Sequence, residues 1–212
     1  MNTEDKPELD GTTEQKIKAA AKKLFTQKGY SAVKTREIAA EAGINLALLN
    51  YYFRSKEKLF ELVMADNFIT FVDGASHIIN NETTTFDKKV ELLAAHYIDI
   101  LIENPDVPRF VLNEIQNHPE KLAKAMSAKL DIFNSIIMKQ LSEEIQKGNM
   151  MPVNRIHFMI NIIGLAVFPF AAKPLLVKVG QINESTFVAL LEERKLLIPI
   201  WIKNMYKPKE MN

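Results

Sequence analysis

A chain of 212 residues, 47% apolar and 25% charged, can bury a core as one large domain or two small ones. It has no cysteine, which excludes disulfides and thiolate metal sites, and its first residues are polar (Glu4, Asp5, Glu8, Asp10), so secretion is not expected and the expected location is cytoplasmic. Net charge is only +1, yet residues 12–58 hold ten cations (Lys16, Lys18, Lys22, Lys23, Lys28, Lys34, Arg36, Arg54, Lys56, Lys58) against four acids (Glu14, Glu37, Glu41, Glu57). A basic block on a near-neutral chain suggests a polyanionic partner for that block, although a solvated lysine-rich helix face would carry the same charge.

In chain order, residues 1–11 read as a frayed tail. Thr12 and Gln15 have capping-box spacing, and Ile17, Ala20, Ala21, Leu24 and Phe25 recur as one helical stripe that ends at Gly29. Thr35 is placed to cap a second helix, TREIAAEA, closed by Gly43. Asn45 is placed to cap a short third helix through Phe53, and Ser55 a fourth running to about residue 80. Five further helices follow: 86–104, stopped by Pro105; 108–117; one long helix over 119–148; 153–172, nearly apolar all round; and 184–206. Residues 178–185 read as the best internal loop. The apolar run 158–172 is too short and too interrupted, by Asn161 and Pro169, for a membrane span. The pattern is all-α, about nine helices, with no strand alternation.

Two short helices joined through Gly43 after a longer one match a helix-turn-helix in spacing. On residues 46–53 one side suffices for the core, and Leu49 and Phe53, four apart, supply it. Asn50, Tyr51 and Tyr52 are then free to face elsewhere. A tyrosine there joins an apolar body to a hydroxyl that reaches a phosphate, and Arg54, Lys56 and Lys58 stand at the next helix start, where an anion is favoured. A tyrosine-rich packing corner would explain the rings but not the adjoining cations.

The run TTEQKIKAAAKKLFTQKGYSAVKTREIAAEAGINLALLNYYFRSKEKLFELVM, residues 12–64, resembles the DNA-binding domain of the TetR family of transcriptional regulators. The resemblance covers about a quarter of the chain. It implies an all-α homodimer with an N-terminal three-helix helix-turn-helix domain (12–58) and a larger C-terminal domain (59–212) for effector binding and dimerisation. It implies a phosphate contact by Thr35, with Lys34 and Arg36 beside it. Asn45, Ala47, Leu48 and Asn50 would face the groove, Tyr51 and Tyr52 would lie at its wall, and Lys56 would sit on a phosphate. The sequence departs from the family pattern at Leu46, Ala47, Leu48 and Asn50. Apolar side chains read thymine methyls and Asn50 suits adenine, so an A·T-containing half-site is expected; alternatively Leu46 and Leu48 are core and few bases are read directly.

In the remainder, 153–172 and 184–206 are the candidate dimer helices, with the central helix of a monomeric bundle as the other reading of 153–172. Phe68, Phe71, His96, Tyr97, Phe110, Met126, Phe133 and Met138 could line a pocket for a small apolar or amphipathic effector, or be plain core. His77, His96, His118 and His157 lack metal-ligand spacing, and no nucleophile or phosphate-loop motif is present, so no catalysis, metal or cofactor is assigned. The expected function is a ligand-responsive DNA-binding regulator, a repressor released from a pseudo-palindromic operator. The rivals are a helical carrier or enzyme whose first three helices are only scaffold, and a DNA-binding protein with no effector.

Overall fold

A computed structural model describes residues 11–208, and these contain eleven helices and no strand. They fall into two compact units, divided between Asn67 and Phe68. The expected tail lies outside the described residues except at Gly11, which is helical.

The first unit opens with α1 (Gly11–Lys28), whose buried residues are the five of the predicted stripe. Thr12 sits within its first turn. Gly29 ends the helix at φ 73°, a conformation that costs a Cβ-bearing residue free energy. α2 (Thr35–Glu41) buries Ile38 and Ala39. Lys34, extended at φ −103°, occupies the cap position, so Thr35 is the first helical residue and caps nothing. α3 (Leu46–Phe53) and α4 (Lys56–Ile79) begin at the predicted caps: Asn45 Oδ1 accepts the Leu48 N–H at 2.8 Å, and Ser55 Oγ accepts the Lys58 N–H at 3.1 Å. Phe25 anchors an aromatic cluster, its ring 5.1 Å from Phe60 and 6.0 Å from Tyr30.

The second unit takes the rest of α4 and α5 (Phe86–Glu103), α6 (Val107–Asn117), α7 (Pro119–Ser127), α8 (Ile136–Gln146), α9 (Arg155–Ala171), α10 (Lys173–Gly180) and α11 (Glu184–Met205). α5 is its centre, packed against α8, α9 and α11, which bury Val90, Leu93, Ala94, Tyr97, Ile98 and Leu101. Lys89 is buried as well. Its Nζ donates to the Thr84 carbonyl at 2.6 Å, and desolvation pushes its pKa down.

Three expectations give way here. The long helix over 119–148 is two, because residues 128–135 turn: Asp131 accepts from the Asn134 backbone N–H and side-chain amide, and Ser135 Oγ donates to the Ile132 carbonyl. Short polar side chains that bond the local backbone compete with helix continuation. The expected loop at 178–185 is partly helical, since α10 starts with Pro174 in its first turn and ends at Gln181 in the left-handed region. These two changes raise about nine helices to eleven. Finally, α9 is not sheathed on all sides: Phe158, Ile162, Ala166 and Phe170 are buried, whereas Ile156, Ile160 and Phe168 are exposed. No single described helix is long and apolar enough to cross a membrane; α9 and α10 reach that length and composition only together, across a 67° bend.

Candidate nucleic-acid interface

The cap at Asn45 sets where α3 starts and therefore which way each later side chain turns. Leu49 and Phe53 point into the core, at 0% and 3% exposure. Ala47 and Asn50 are exposed on the other side, and Tyr51 is 48% exposed. Leu46, Leu48 and Tyr52 are half-buried along the flanks, so neither leucine is a fully buried core residue. The Tyr52 ring meets Tyr51 edge-on at 5.9 Å and lies 6.2 Å from Phe53, which fixes the rings at the end of the helix.

The cations divide in two. Lys23 pairs with Glu41 at 2.5 Å and Lys28 with Glu37 at 2.6 Å, tying α1 to α2. The Lys28 ammonium, as hydrogen-bond donor, holds the Glu37 carboxyl below the ordinary glutamate value. Lys18 pairs with Glu14 and Lys58 with Glu61. Lys56 is the surprise. Its Nζ donates to the carbonyls of Tyr30 and Val33, both at 2.9 Å, and lies 4.2 Å from the centre of the Tyr30 ring. That amine closes the turn between α1 and α2 onto the start of α4, a geometry at odds with the phosphate contact expected of it. Beside it, the Tyr30 hydroxyl donates to Glu57 at 3.0 Å and lowers the glutamate's pKa. Lys16, Lys22, Lys34, Arg36 and Arg54 are exposed and make no ion pair among the described residues. Lys34 and Arg36, with the half-buried Thr35 between them, stand at the start of α2, and Arg54 stands just past the end of α3.

Residues 17–63 match the family model of bacterial regulatory proteins, tetR family. A probable HTH-type transcriptional regulator of Bacillus subtilis, YttP, is 26% identical over 203 residues, spanning 92% of this chain and 95% of that one. Residues 17–63 thus carry a tetR-family regulatory domain. The fold of the chain agrees with a TetR-family regulator structure from Mesorhizobium loti, at a TM-score of 0.58 and 20% identity over 92% of this chain and 97% of the other. The FadR regulator of Bacillus subtilis, solved in complex with stearoyl-CoA, superposes with a TM-score of 0.55 at 20% identity over 87% and 97%. These likenesses mark the chain as a DNA-binding transcriptional regulator; regulators of the TetR family bind operator DNA and small-molecule effectors and form dimers.

The eight pocket candidates do not converge. Phe68, Phe71, His96 and Tyr97 cluster, with the Phe71 and Tyr97 rings 4.9 Å apart and His96 Nε2 3.0 Å from the Phe71 carbonyl. The imidazole fills the space beside Gly74, where a Cβ would lie 2.2 Å from His96 Cε1. Tyr97 and Met138 instead line a cavity of about 40 Å³ with Ala75, Leu93, Phe158 and Ile162, and burial pushes the Tyr97 hydroxyl up to about 12. Phe110 is buried and Met126 half-buried, both away from that cavity. Phe133 faces solvent at 48% exposure, because it sits in the turn between α7 and α8. Glu114 on α6 and His118 just past its end, four apart in sequence, lie 3.4 Å apart with the glutamate buried. The sequence also hid an open groove of about 800 Å³, lined among others by Asp87, Glu91, Glu144 and Lys203.

Proposed function

We propose that this regulator is a homodimeric repressor, cytoplasmic, released from a pseudo-palindromic operator by a small apolar or amphipathic effector. The observation that carries the DNA half is the outward face of α3, with Ala47, Asn50 and Tyr51 exposed, and the unpaired cations at the start of α2 and just past the end of α3. In this reading Asn50 and Ala47 meet base edges, Asn45 and Leu48 border them, Tyr51 and Tyr52 line the groove wall, and Lys34, Thr35 and Arg36 hold the backbone. Exposed apolar rows on α9 (Ile156, Ile160, Phe168) and α11 (Leu190, Leu196, Ile200) support pairing of two copies through residues 153–172 and 184–206.

The effector half follows from volume. A cavity of about 40 Å³ is far below the roughly 300–1,000 Å³ of a ligand pocket, so the described conformer has no room for one there. An apolar effector that opens this cavity stabilises another conformer, and full release requires about 5.5 kcal/mol of differential affinity. The same small volume at that cavity favours one rival, a regulator with no effector.

Selection of bound sequences from a random DNA pool tests the reading. Half-sites roughly 34–36 Å apart, or a multiple, are expected. With about three phosphates neutralised per subunit, log K against log salt should have a slope of about −5. No enriched sequence and no salt dependence would reject the DNA half. Screening apolar compounds for release of the selected duplex then separates repressor from constitutive binder.

A further inference from the structure

We propose that Arg54, not Lys56, is the cation that the end of α3 offers to a DNA phosphate, held in place by a strained turn. This rests on the DNA reading above. Among the described residues, five have positive φ; three are glycines, Gly29, Gly43 and Gly148, and the other two are Arg54 and Gln181. Gln181 closes α10 at φ 49°, ψ 37°, the left-handed helical region that polar residues tolerate. Arg54 lies elsewhere, at φ 55°, ψ −38°, where the Ser55 N–H donates to the Phe53 carbonyl across it. That is a γ-turn of the rare, strained kind.

The fold explains the turn but not the arginine. Only two residues, Arg54 and Ser55, separate α3 from α4. Phe53 on one side is fixed in the core, and Ser55 on the other caps α4. The reversal between them demands positive φ, which glycine meets without a steric penalty. A long cationic side chain at such a position is retained against local stability, and strain of that kind concentrates at functional sites. The neighbours narrow the role. Lys56 is consumed by two carbonyls and Lys58 pairs with Glu61, so Arg54 is the cation of this corner with no acceptor among the described residues. It stands one residue beyond the helix whose exposed face carries Asn50 and Tyr51. Its guanidinium suits a phosphate in both charge and planar geometry.

The test uses the full-length protein and the duplex selected from the random pool, with binding followed by fluorescence anisotropy at several salt concentrations. Arg54→Gly and Arg54→Asn should each make the salt slope shallower by about 2 per dimer and weaken binding about 30-fold near roughly 150 mM salt. Arg54→Lys should keep the slope. Arg54→Gly should melt no lower than wild type, because it relieves the turn. Glycine and asparagine variants that bind with wild-type affinity and slope would overturn the assignment. So would a glycine variant that melts clearly lower, since the arginine would then be serving the fold. Wild-type protein that enriches no duplex would instead reject the DNA reading itself, and this inference with it.

Discussion

The two units of this chain finish their surfaces differently. Of the sixteen large apolar side chains left exposed among the described residues, one, Tyr51, lies before Phe68 and fifteen lie beyond Asn67. The first unit closes its core around Phe25, Leu49 and Leu59 and turns cations outward. The second closes its core around α5 and still presents Ile160, Phe168, Leu175, Val179 and Leu196 to solvent. In the proposed assembly, one unit is complete in a single chain and meets a polyanion, whereas the other becomes complete only against a second copy.

The hardest blow to that contrast is Phe25→Ala. This ring is fully buried against Tyr30 and Phe60, and its loss should cost about 3–5 kcal/mol. Hydrogen exchange should quicken in α1–α3 while α9 and α11 keep their protection and the dimer persists in sedimentation; joint loss would mean the units are not independent. Next comes Leu196→Glu. At 72% exposure the side chain contributes little to its own chain's core, yet the dimer should dissociate about 100-fold more readily, roughly 3 kcal/mol, in the same sedimentation experiment. An unchanged dimer would move the interface off α11.

Smaller effects sharpen the picture. Lys56→Met should cost about 1–3 kcal/mol in denaturant melts, since it strips two carbonyls of their donor, and leave the salt slope of DNA binding unchanged. A shallower slope would return Lys56 to the phosphate. Gly74→Ala should cost about 1–2 kcal/mol by expelling the His96 ring, and His96→Ala in the same chain should recover part of it. The least effect is electrostatic. Because the Tyr30 hydroxyl lowers the pKa of Glu57, its contribution is present above the ordinary glutamate value and is lost as pH falls through the lowered one. Tyr30→Phe should therefore lower the neutral plateau of the melting temperature slightly and flatten its acid limb, with the two proteins converging at low pH.

Legibility followed the same division. In α1 and α3 one amphipathic period and a good cap decide both the helix and its buried face, so the stripe from Ile17 to Phe25 and the pair Leu49 and Phe53 could be read directly. Lys56 could not, because its acceptors on Tyr30 and Val33 lie 26 and 23 positions away. In the second unit the break at 128–135 was hidden by apolar spacing that continues through it, and only the side-chain bonds of Asp131 and Asn134 stop the helix. The pocket failed as a list because aromatic residues at helical spacing signal burial, not convergence: Tyr97 and Met138 meet at one cavity, and Phe133 does not.

The short helix α10 buries none of its eight residues. Eight residues are too few to hold a helix in water by backbone bonds alone. In the proposed dimer its order then depends on mass action. At high dilution, trypsin should find Lys178 an open substrate; at concentrations where two copies meet, the same bond should resist cleavage, although nothing within the chain has changed.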